Sequence, residues 1–131
     1  MKISRVWAMP DKETFSIYCI NHLVKRFLEH PSIDPFCNGK SYATFNNDLN
    51  PDKAAESHLD AYDFLRSFDD GTIQTILFDP PYSPRQVSES YKALGKSVNT
   101  ETTSAAYWRR LKTEIARVCI PGGICISCGW N

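Results

Sequence analysis

Two spacings of apolar residues recur along the chain, and each predicts a different kind of secondary structure. Spacing near 3.6 residues predicts amphipathic helices over residues 14–30 and 102–120, with Pro-Gly-Gly at 121–123 ending the second. The inward positions are expected to be Phe15, Tyr18, Leu23, Phe27 and Leu28 in the first helix, and Ala106, Leu111, Ile115 and Val118 in the second. Short apolar segments predict strands over 32–36, 43–51, 71–79 and 124–130, and a short strand that runs into a helical turn over 57–68.

The order of these elements predicts the fold class. Strands alternate with helices or loops, which is the pattern of an α/β domain with a parallel sheet and right-handed crossovers. Residues 71–79 are apolar on both faces, as is typical of a buried parallel strand. We expect a single domain spanning residues 1–131.

Composition is that of an ordinary soluble protein. The chain has 131 residues, of which 42% are hydrophobic and 23% are charged, so it can bury a modest core. No apolar run approaches the ~18 residues of a membrane helix, and the N-terminal residues contain no apolar stretch typical of a signal peptide. A cytoplasmic protein is therefore expected. The formal net charge of +0 leaves nucleic-acid binding open, because a neutral protein can carry a basic face.

The five cysteines favour core positions over disulfide or metal chemistry. Their number is odd and no secretory signal precedes them, which argues against a disulfide framework. Cys125 and Cys128 form a C-x-x-C, yet no second pair and no nearby histidine would complete a zinc site. Their spacing on a predicted strand places the two thiols on opposite faces, and both are expected to be buried and reduced.

Four aspartates lie at or near the ends of predicted strands: Asp34, Asp48, Asp60 and Asp79. One such acid would be an ordinary cap of a loop or helix. In open parallel sheets, however, ligands bind beyond the carboxyl ends of the strands, and these ends meet at one edge. The four acids together therefore predict a ligand-binding crevice at that edge.

The sequence Asp79-Pro80-Pro81-Tyr82 follows the most apolar strand and combines groups suited to amine chemistry. An exocyclic amine of a nucleobase is a poor nucleophile, because its lone pair is delocalised into the ring. Two acceptors aimed at its hydrogens would pull it towards tetrahedral geometry, and here Asp79 supplies a carboxylate and Pro80 a carbonyl. Pro81 stiffens the loop, and Tyr82 offers an aromatic face for a flipped base, a contact worth about 1–3 kcal/mol.

This tetrapeptide after an apolar strand resembles motif IV of the amino-methyltransferases, which transfer a methyl group from S-adenosylmethionine to adenine N6 or cytosine N4. Aspartate in its first position is more typical of the adenine enzymes. With "FDPPYSPRQVSESYKALG", the chain looks most similar to small phage or prophage adenine DNA methyltransferases. The resemblance covers nearly the whole chain. It implies a Rossmann-like class I methyltransferase sheet, mostly parallel, with its first five strands ordered three, two, one, four, five, and a reaction that needs no metal.

Other segments resemble further motifs of the same family. "FSIYCI" at 15–20 is similar to motif X, "DPFCNG" at 34–39 to motif I, "NNDLNP" at 46–51 to motif II and "LDAYDFL" at 59–65 to motif III. By this resemblance Asp34 is expected to hold the ammonium of S-adenosylmethionine, Asp48 its ribose hydroxyls and Asp60 its adenine amino group. The implied cofactor contacts are Phe15, Asp34, Pro35, Phe36, Asp48, Leu49, Asp60, Ala61 and Asp79.

Two departures from the family pattern affect these expectations. Motif I keeps only Gly39, with Cys37 and Asn38 in place of glycines, which predicts a tighter loop. The antiparallel hairpin that closes the family sheet after its fifth strand has no counterpart, nor has a target-recognition domain. Either the chain is expected to be a truncated form of this fold, or a partner protein or a second copy of the chain is expected to cover the edge of that strand.

The leading interpretation is an adenine N6-methyltransferase acting on DNA, of bacterial or phage origin. Tyr82 is the expected base-stacking residue, and Arg85 is the best candidate for a contact with backbone phosphate. Methylation of adenine in RNA stays open. A non-catalytic relative that binds cofactor, nucleic acid or a partner protein is the alternative from a different class.

Overall fold

The computed structural model describes residues 8–9, 13–81, 92, 95 and 105–128. Its elements in chain order are a short 3-10 turn (Thr14–Ser16), α1 (Tyr18–Phe27), β1 (Ser32–Asp34), β2 (Phe45–Asn46), α2 (Ala61–Arg66), β3 (Ile73–Phe78), α3 (Ala105–Val118) and β4 (Cys119–Ser127). Strands and helices alternate, so the predicted α/β class is confirmed.

The four strands form one sheet in which every pair is parallel, in the spatial order β2-β1-β3-β4. Ile33 of β1 pairs with Ile76 of β3, and Ile76 pairs in turn with Cys125 of β4. Because β3 is paired on both sides, it is the inner strand that the doubly apolar run of residues 71–79 predicts. The parallel sheet is therefore confirmed.

The predicted third strand needs correction. It is reduced to a single parallel bridge, in which Ser57 pairs with Asn47 beyond the end of β2. The position agrees with the expected order of strands, but no further ladder forms. The physical reason is local: Asp60 already caps α2, which begins at Ala61, so only a few residues separate the bridge from the helix.

Helices cover both faces of the sheet. Under α2 and α3 lies the larger core cluster, which includes Ile33, Phe64, Leu65, Ile76, Phe78 and Leu111. On the opposite face Phe15 and Val24 pack with Leu77. Ile76 and Leu77 point to opposite faces because side chains alternate along a strand, so β3 contributes to both clusters. None of the helices in the described ranges has the length and apolarity needed to cross a membrane.

Helix α1 differs from its prediction at its start and in its buried face. The helix begins only at Tyr18, because Ile17 has an extended conformation with φ −60° and ψ 127°. Tyr18 and Leu23, both expected to face inward, are 86% and 49% exposed, whereas Val24 is fully buried. Because Val24 is the buried residue of this helix, only a narrow face of α1 packs on the sheet. The remaining apolar side chains of the helix are left partly or fully exposed to solvent.

The Pro-Gly-Gly sequence at 121–123 does not end the second predicted helix. Helix α3 ends at Val118, and residues 121–123 lie within β4. A Cβ atom at Gly123 would lie 2.6 Å from Sγ of Cys119 and 3.0 Å from the carbonyl oxygen of Gln74. Glycine therefore serves here to allow β4 to approach β3 closely.

The predicted burial of the C-x-x-C thiols is wrong for one of them. Cys125 is exposed and Cys128 is half-buried, while Cys37 in the loop after β1 is buried. All five cysteines are free thiols. The exposure of Cys125 follows from the position of β4, which is an outermost strand of the sheet in the described part of the chain.

Candidate functional site

The four aspartates follow the carboxyl ends of their strands. Asp34 is the last residue of β1, and Asp79 comes directly after β3. Asp48 lies two residues beyond β2, and Asp60 lies three residues beyond the bridge at Ser57. Since all strands run in the same direction, these acids occupy the same edge of the sheet.

A cleft with about 290 Å³ of empty volume, part of it open to solvent, lies at this edge. Three segments form its walls: residues 13–16, the loop of residues 35–44 between β1 and β2, and the end of β3. The loop of residues 35–44 is called the β1 loop below. The lining residues are Glu13, Thr14, Phe15, Ser16, Phe36, Cys37, Asn38, Lys40, Tyr42 and Asp79. Of the four aspartates, Asp79 alone is among them.

Asp79 is half-buried at the wall of this cleft. Burial raises the pKa of its carboxyl, while a hydrogen bond with the side chain of Thr14 opposes the change, and the net direction is upward. Pro80 is buried and Pro81 half-buried, so the start of the loop rests against protein. Tyr82 and Arg85 lie outside the described residues.

Asp34 lies beneath the cleft instead of lining it. Its side chain is fully buried, and it accepts hydrogen bonds from Ser41 Oγ (2.7 Å) and from the backbone N–H of Phe36 (3.1 Å). Burial raises the pKa of this carboxyl to about 7, and the nearby negative charges of Asp79 and Asp48 act in the same direction. In this structure the carboxyl of Asp34 therefore organises the β1 loop from inside.

The β1 loop contains a tight turn over residues 37–40. The N–H of Lys40 donates to the carbonyl of Cys37 at 3.0 Å. Asn38 and Gly39 between them have φ values of 51° and 86°. Asparagine tolerates this left-handed region better than most side chains, and Asn-Gly is the usual pair for a turn with two positive φ angles. Residues 37–40 therefore form a closed turn although only one of them is glycine.

The carboxylate of Asp48 holds this turn through a hydrogen bond. Its Oδ2 accepts the N–H of Asn38 at 2.9 Å, and its Oδ1 accepts the N–H of Asn50 at 2.8 Å. Each carboxylate oxygen can accept a further hydrogen bond after these. Because Asn38 lines the cleft, the carboxylate of Asp48 lies one contact away from it.

Asp60 links the two helices on one face of the sheet. It caps α2 by accepting the N–H of Tyr62 at 2.9 Å, and the hydroxyl of Tyr107 in α3 lies 3.0 and 3.1 Å from its two oxygens. Tyr107 is buried, whereas Ala106, one of the expected inward residues, is exposed. The helical spacing of Tyr107 with Leu111 could have identified it.

Asn47, which the sequence did not single out, has a side chain that is 1% exposed. It forms hydrogen bonds with both flanking segments: its amide reaches Pro35 on one side and Ser57 and Leu59 on the other. In the sequence it is one of three asparagines within five residues, with Asn46 and Asn50. The available signal was a polar residue directly after a short strand, between two loops that carry acids.

The groups along the cleft suit a ligand that is partly cationic and partly apolar. Asp79 and Glu13 provide negative charge, and Glu13 is also ion-paired with Lys40 at 2.9 Å. Phe15 and Phe36 provide aromatic surface. The ring of Phe36 is held by an edge contact with Phe78 of β3, with ring centroids 5.7 Å apart.

Within the described part of the chain, no group of three or more histidine, cysteine, aspartate or glutamate side chains could hold a metal ion. Comparison of the chain with known protein families, with curated proteins and with solved structures finds no match. The interpretation of the site therefore depends on its geometry and on the sequence around Asp79.

Proposed function

We propose that this protein is a methyltransferase that uses S-adenosylmethionine to methylate the N6 amine of adenine in DNA. The proposal is carried by one observation: Asp79-Pro80-Pro81 begins at the carboxyl end of β3, and Asp79 lines a cleft beside the β1 loop. Five of the six residues of β3 are buried and the strand is paired on both sides, so the loop starts from a fixed point. Preorganised acceptors are what amine activation requires.

The residues of the cleft fit the proposed cofactor. S-adenosylmethionine would supply an activated methyl group on a positively charged sulfur. Phe15 and Phe36 provide apolar surface for it, and Asp79 provides negative charge. Asp48 keeps acceptor capacity for ribose hydroxyls. For Asp34, whose carboxyl is buried and engaged by its own loop, the proposed role is to shape the loop that carries Phe36.

The chemical contribution of the chain comes from two neighbouring acceptors. The carboxylate of Asp79 and the carbonyl of Pro80 would each accept a hydrogen bond from the target amine, and proline has no N–H that competes. Burial raises the pKa of Asp79, so its carboxyl takes up a proton more readily than an exposed aspartate does. Asp79 is thereby suited to receive the proton that the amine loses.

Cofactor binding and methyl transfer are best measured separately. Calorimetry with S-adenosylmethionine tests the first. The second is tested by incubation with adenine-containing DNA and RNA oligonucleotides, followed by mass spectrometry of the nucleosides. We expect N6-methyladenine in the DNA. Product in RNA alone would assign the RNA activity, and binding without any product would support the non-catalytic alternative.

An Asp79→Ala variant tests the mechanism. Removing a preorganised polar group from an active site typically costs 10²–10³ in rate, so we expect transfer to fall by about 100-fold or more while S-adenosylmethionine still binds. The matched control is Asp52→Ala, which removes an exposed carboxylate from the loop after β2. Full methyl transfer by Asp79→Ala would contradict the mechanism.

A further inference from the structure

We infer that Asn47 is a positioning residue, which fixes the β1 loop relative to the segment of residues 57–60 before α2. Its side chain is buried and lies behind the cleft, outside its lining. It carries no charge and is not required by the hydrophobic core. Its hydrogen bonds, however, join two segments that belong to different parts of the sheet edge.

Towards the β1 loop, Asn47 makes three hydrogen bonds. Its Nδ2 donates to the carbonyl of Pro35 at 3.2 Å. Its backbone N–H donates to the carbonyl of Asp34 at 2.9 Å, and its own carbonyl accepts the N–H of Cys37 at 3.0 Å. The first residues of the β1 loop are thus held by both the backbone and the side chain of Asn47.

Towards the segment before α2, Asn47 forms hydrogen bonds through its side chain, next to the parallel bridge in which the N–H of Asp48 donates to the carbonyl of Ser57 at 3.1 Å. Its Nδ2 donates to the carbonyl of Leu59 at 3.0 Å, and its Oδ1 accepts the N–H of Leu59 at 2.9 Å. The same Oδ1 also accepts the hydroxyl of Ser57 at 2.8 Å. Leu59 is therefore bound through both its polar backbone groups, one residue before the cap of α2.

These four hydrogen bonds occupy every donor and acceptor position of the asparagine side chain. Its amide has two N–H donors and a carbonyl oxygen that accepts two hydrogen bonds, and all four positions are used. Aspartate has the same shape but places an oxygen opposite the carbonyls of Pro35 and Leu59. Leucine would remove all four of these hydrogen bonds. The site therefore specifies asparagine by its chemistry and not by its volume alone.

The functional consequence rests on the function proposed above. Asp48 follows Asn47 directly and holds the turn at Asn38, which lines the cleft. Loosening Asn47 would therefore displace both the proposed ribose acceptor and the wall of the cleft. The expected effect is on cofactor affinity, because Asp79 directly follows β3, whereas the hydrogen bonds of Asn47 described above reach the β1 loop and the segment before α2.

Amide hydrogen exchange tests the positioning role without any assay of activity. The Asn47→Asp variant is compared with the parent and with Asn50→Asp, a matched change whose side chain accepts only the exposed N–H of Asp52. We expect the amides of Cys37 and Asn38 in the β1 loop and of Leu59 before α2 to exchange at least tenfold faster in Asn47→Asp. The amides of Ile76 and Leu77 in β3 should keep their protection, and Asn50→Asp should behave like the parent.

Two results would overturn the inference. Equal acceleration across the β1 loop and β3 would mean that Asn47 supports only global stability, and unchanged exchange would mean that it positions nothing. If Asn47→Asp does not fold, Ser57→Ala takes its place, since it removes one of the four bonds. The same local pattern is then expected with a smaller increase, and its absence would equally refute the role.

Calorimetry with S-adenosylmethionine on the same proteins tests the functional consequence. We expect the dissociation constant to rise at least tenfold in Asn47→Asp and to stay unchanged in Asn50→Asp. Failure of the parent to bind S-adenosylmethionine would contradict the proposed function, while hydrogen exchange would still decide the positioning role. Unaltered affinity in an Asn47→Asp protein with faster local exchange would remove the link to the cofactor.

Discussion

At the scale of single residues, the buried carboxyl of Asp34 is the most strongly perturbed acid of the site. It accepts two hydrogen bonds, yet burial still raises its pKa to about 7. An unfolded aspartate has a pKa of about 3.9. The folded protein therefore binds this proton more tightly than the unfolded chain, so the free energy of unfolding contributed by Asp34 falls as pH rises between these values.

Replacing Asp34 by asparagine is expected to remove this dependence. Asparagine can still accept the N–H of Phe36 and can donate to Ser41 Oγ. The free energy of unfolding of Asp34→Asn, relative to the parent, should therefore increase from about pH 4 to about pH 8, by a few kcal/mol at most. Urea denaturation across this range measures the difference. Asp52→Asn, with an exposed side chain, serves as the control, and parallel curves for Asp34→Asn and the parent would refute the expectation.

At this scale the sequence could locate the acids but not orient them. Each aspartate follows a strand, and that position is readable from the apolar pattern. Whether Asp34 points into the cleft depends on Ser41 and on the backbone of Phe36, which the loop brings together only when folded. The role of Asn47 was equally hidden, because its partner Leu59 is distant in sequence.

At the scale of elements, the contact between β3 and β4 depends on Gly123. Adding a methyl group there would bring Cβ to 2.6 Å from Sγ of Cys119 and 3.0 Å from the carbonyl oxygen of Gln74. We expect Gly123→Ala to lower the free energy of unfolding by about 1–3 kcal/mol, the usual cost of overpacking. Chemical denaturation measures this.

A second substitution separates the contact with the sulfur of Cys119 from the contacts with backbone carbonyls at Gly123. Cys119→Ala removes the sulfur but leaves the carbonyl of Gln74, so the double variant should recover only part of the loss caused by Gly123→Ala. Unchanged stability of Gly123→Ala would show that β4 can move away from β3 without cost.

The elements themselves were predictable to different degrees. β3 was recognisable because burial on both faces leaves a run of adjacent apolar residues, Ile76, Leu77 and Phe78. The buried face of α1 could not be predicted, because the helix has more apolar residues than the sheet covers. Tyr18, for example, is exposed to solvent. The end of α3 was misjudged because glycine serves two purposes, helix termination and close strand approach, and the sequence does not distinguish them.

At the scale of the whole molecule, a bound ligand should stabilise the fold in proportion to its affinity. At 100 times its dissociation constant, a ligand that binds only the folded state adds about 2.7 kcal/mol. We expect S-adenosylmethionine to raise the melting temperature of the parent.

Asp48→Ala should lose most of this rise, and Asp48→Asn, which keeps one acceptor, should show an intermediate rise. The measurement compares melting with and without ligand for each protein, so that any loss of intrinsic stability cancels. An undiminished rise in Asp48→Ala would exclude the proposed ribose contact.

The parallel arrangement was predictable because few topologies agree with alternating helices and strands, whereas the order of the strands was expected from the resemblance to the methyltransferase family. The length of the third strand was not predictable, because a single bridge at Ser57 and a ladder of several residues give the same short apolar pattern. The position of the acids at one edge followed from the topology. Phe15, an expected cofactor contact by the resemblance of residues 15–20 to motif X, lines the cleft together with Asp79, whereas nothing in the sequence indicated Thr14.

The parallel sheet also affects the time the chain needs to fold. In the described part of the chain no two paired strands are joined by a hairpin turn, and the pairings of Ile33 with Ile76 and of Ile76 with Cys125 each close a long loop of chain. The entropy of closing such loops is lost before the contacts that compensate for it are made. Folding should therefore be slow compared with a helical protein of this size. Until β3 is paired on both sides its apolar faces stay exposed, and the strand that anchors Asp79 is then prone to aggregation.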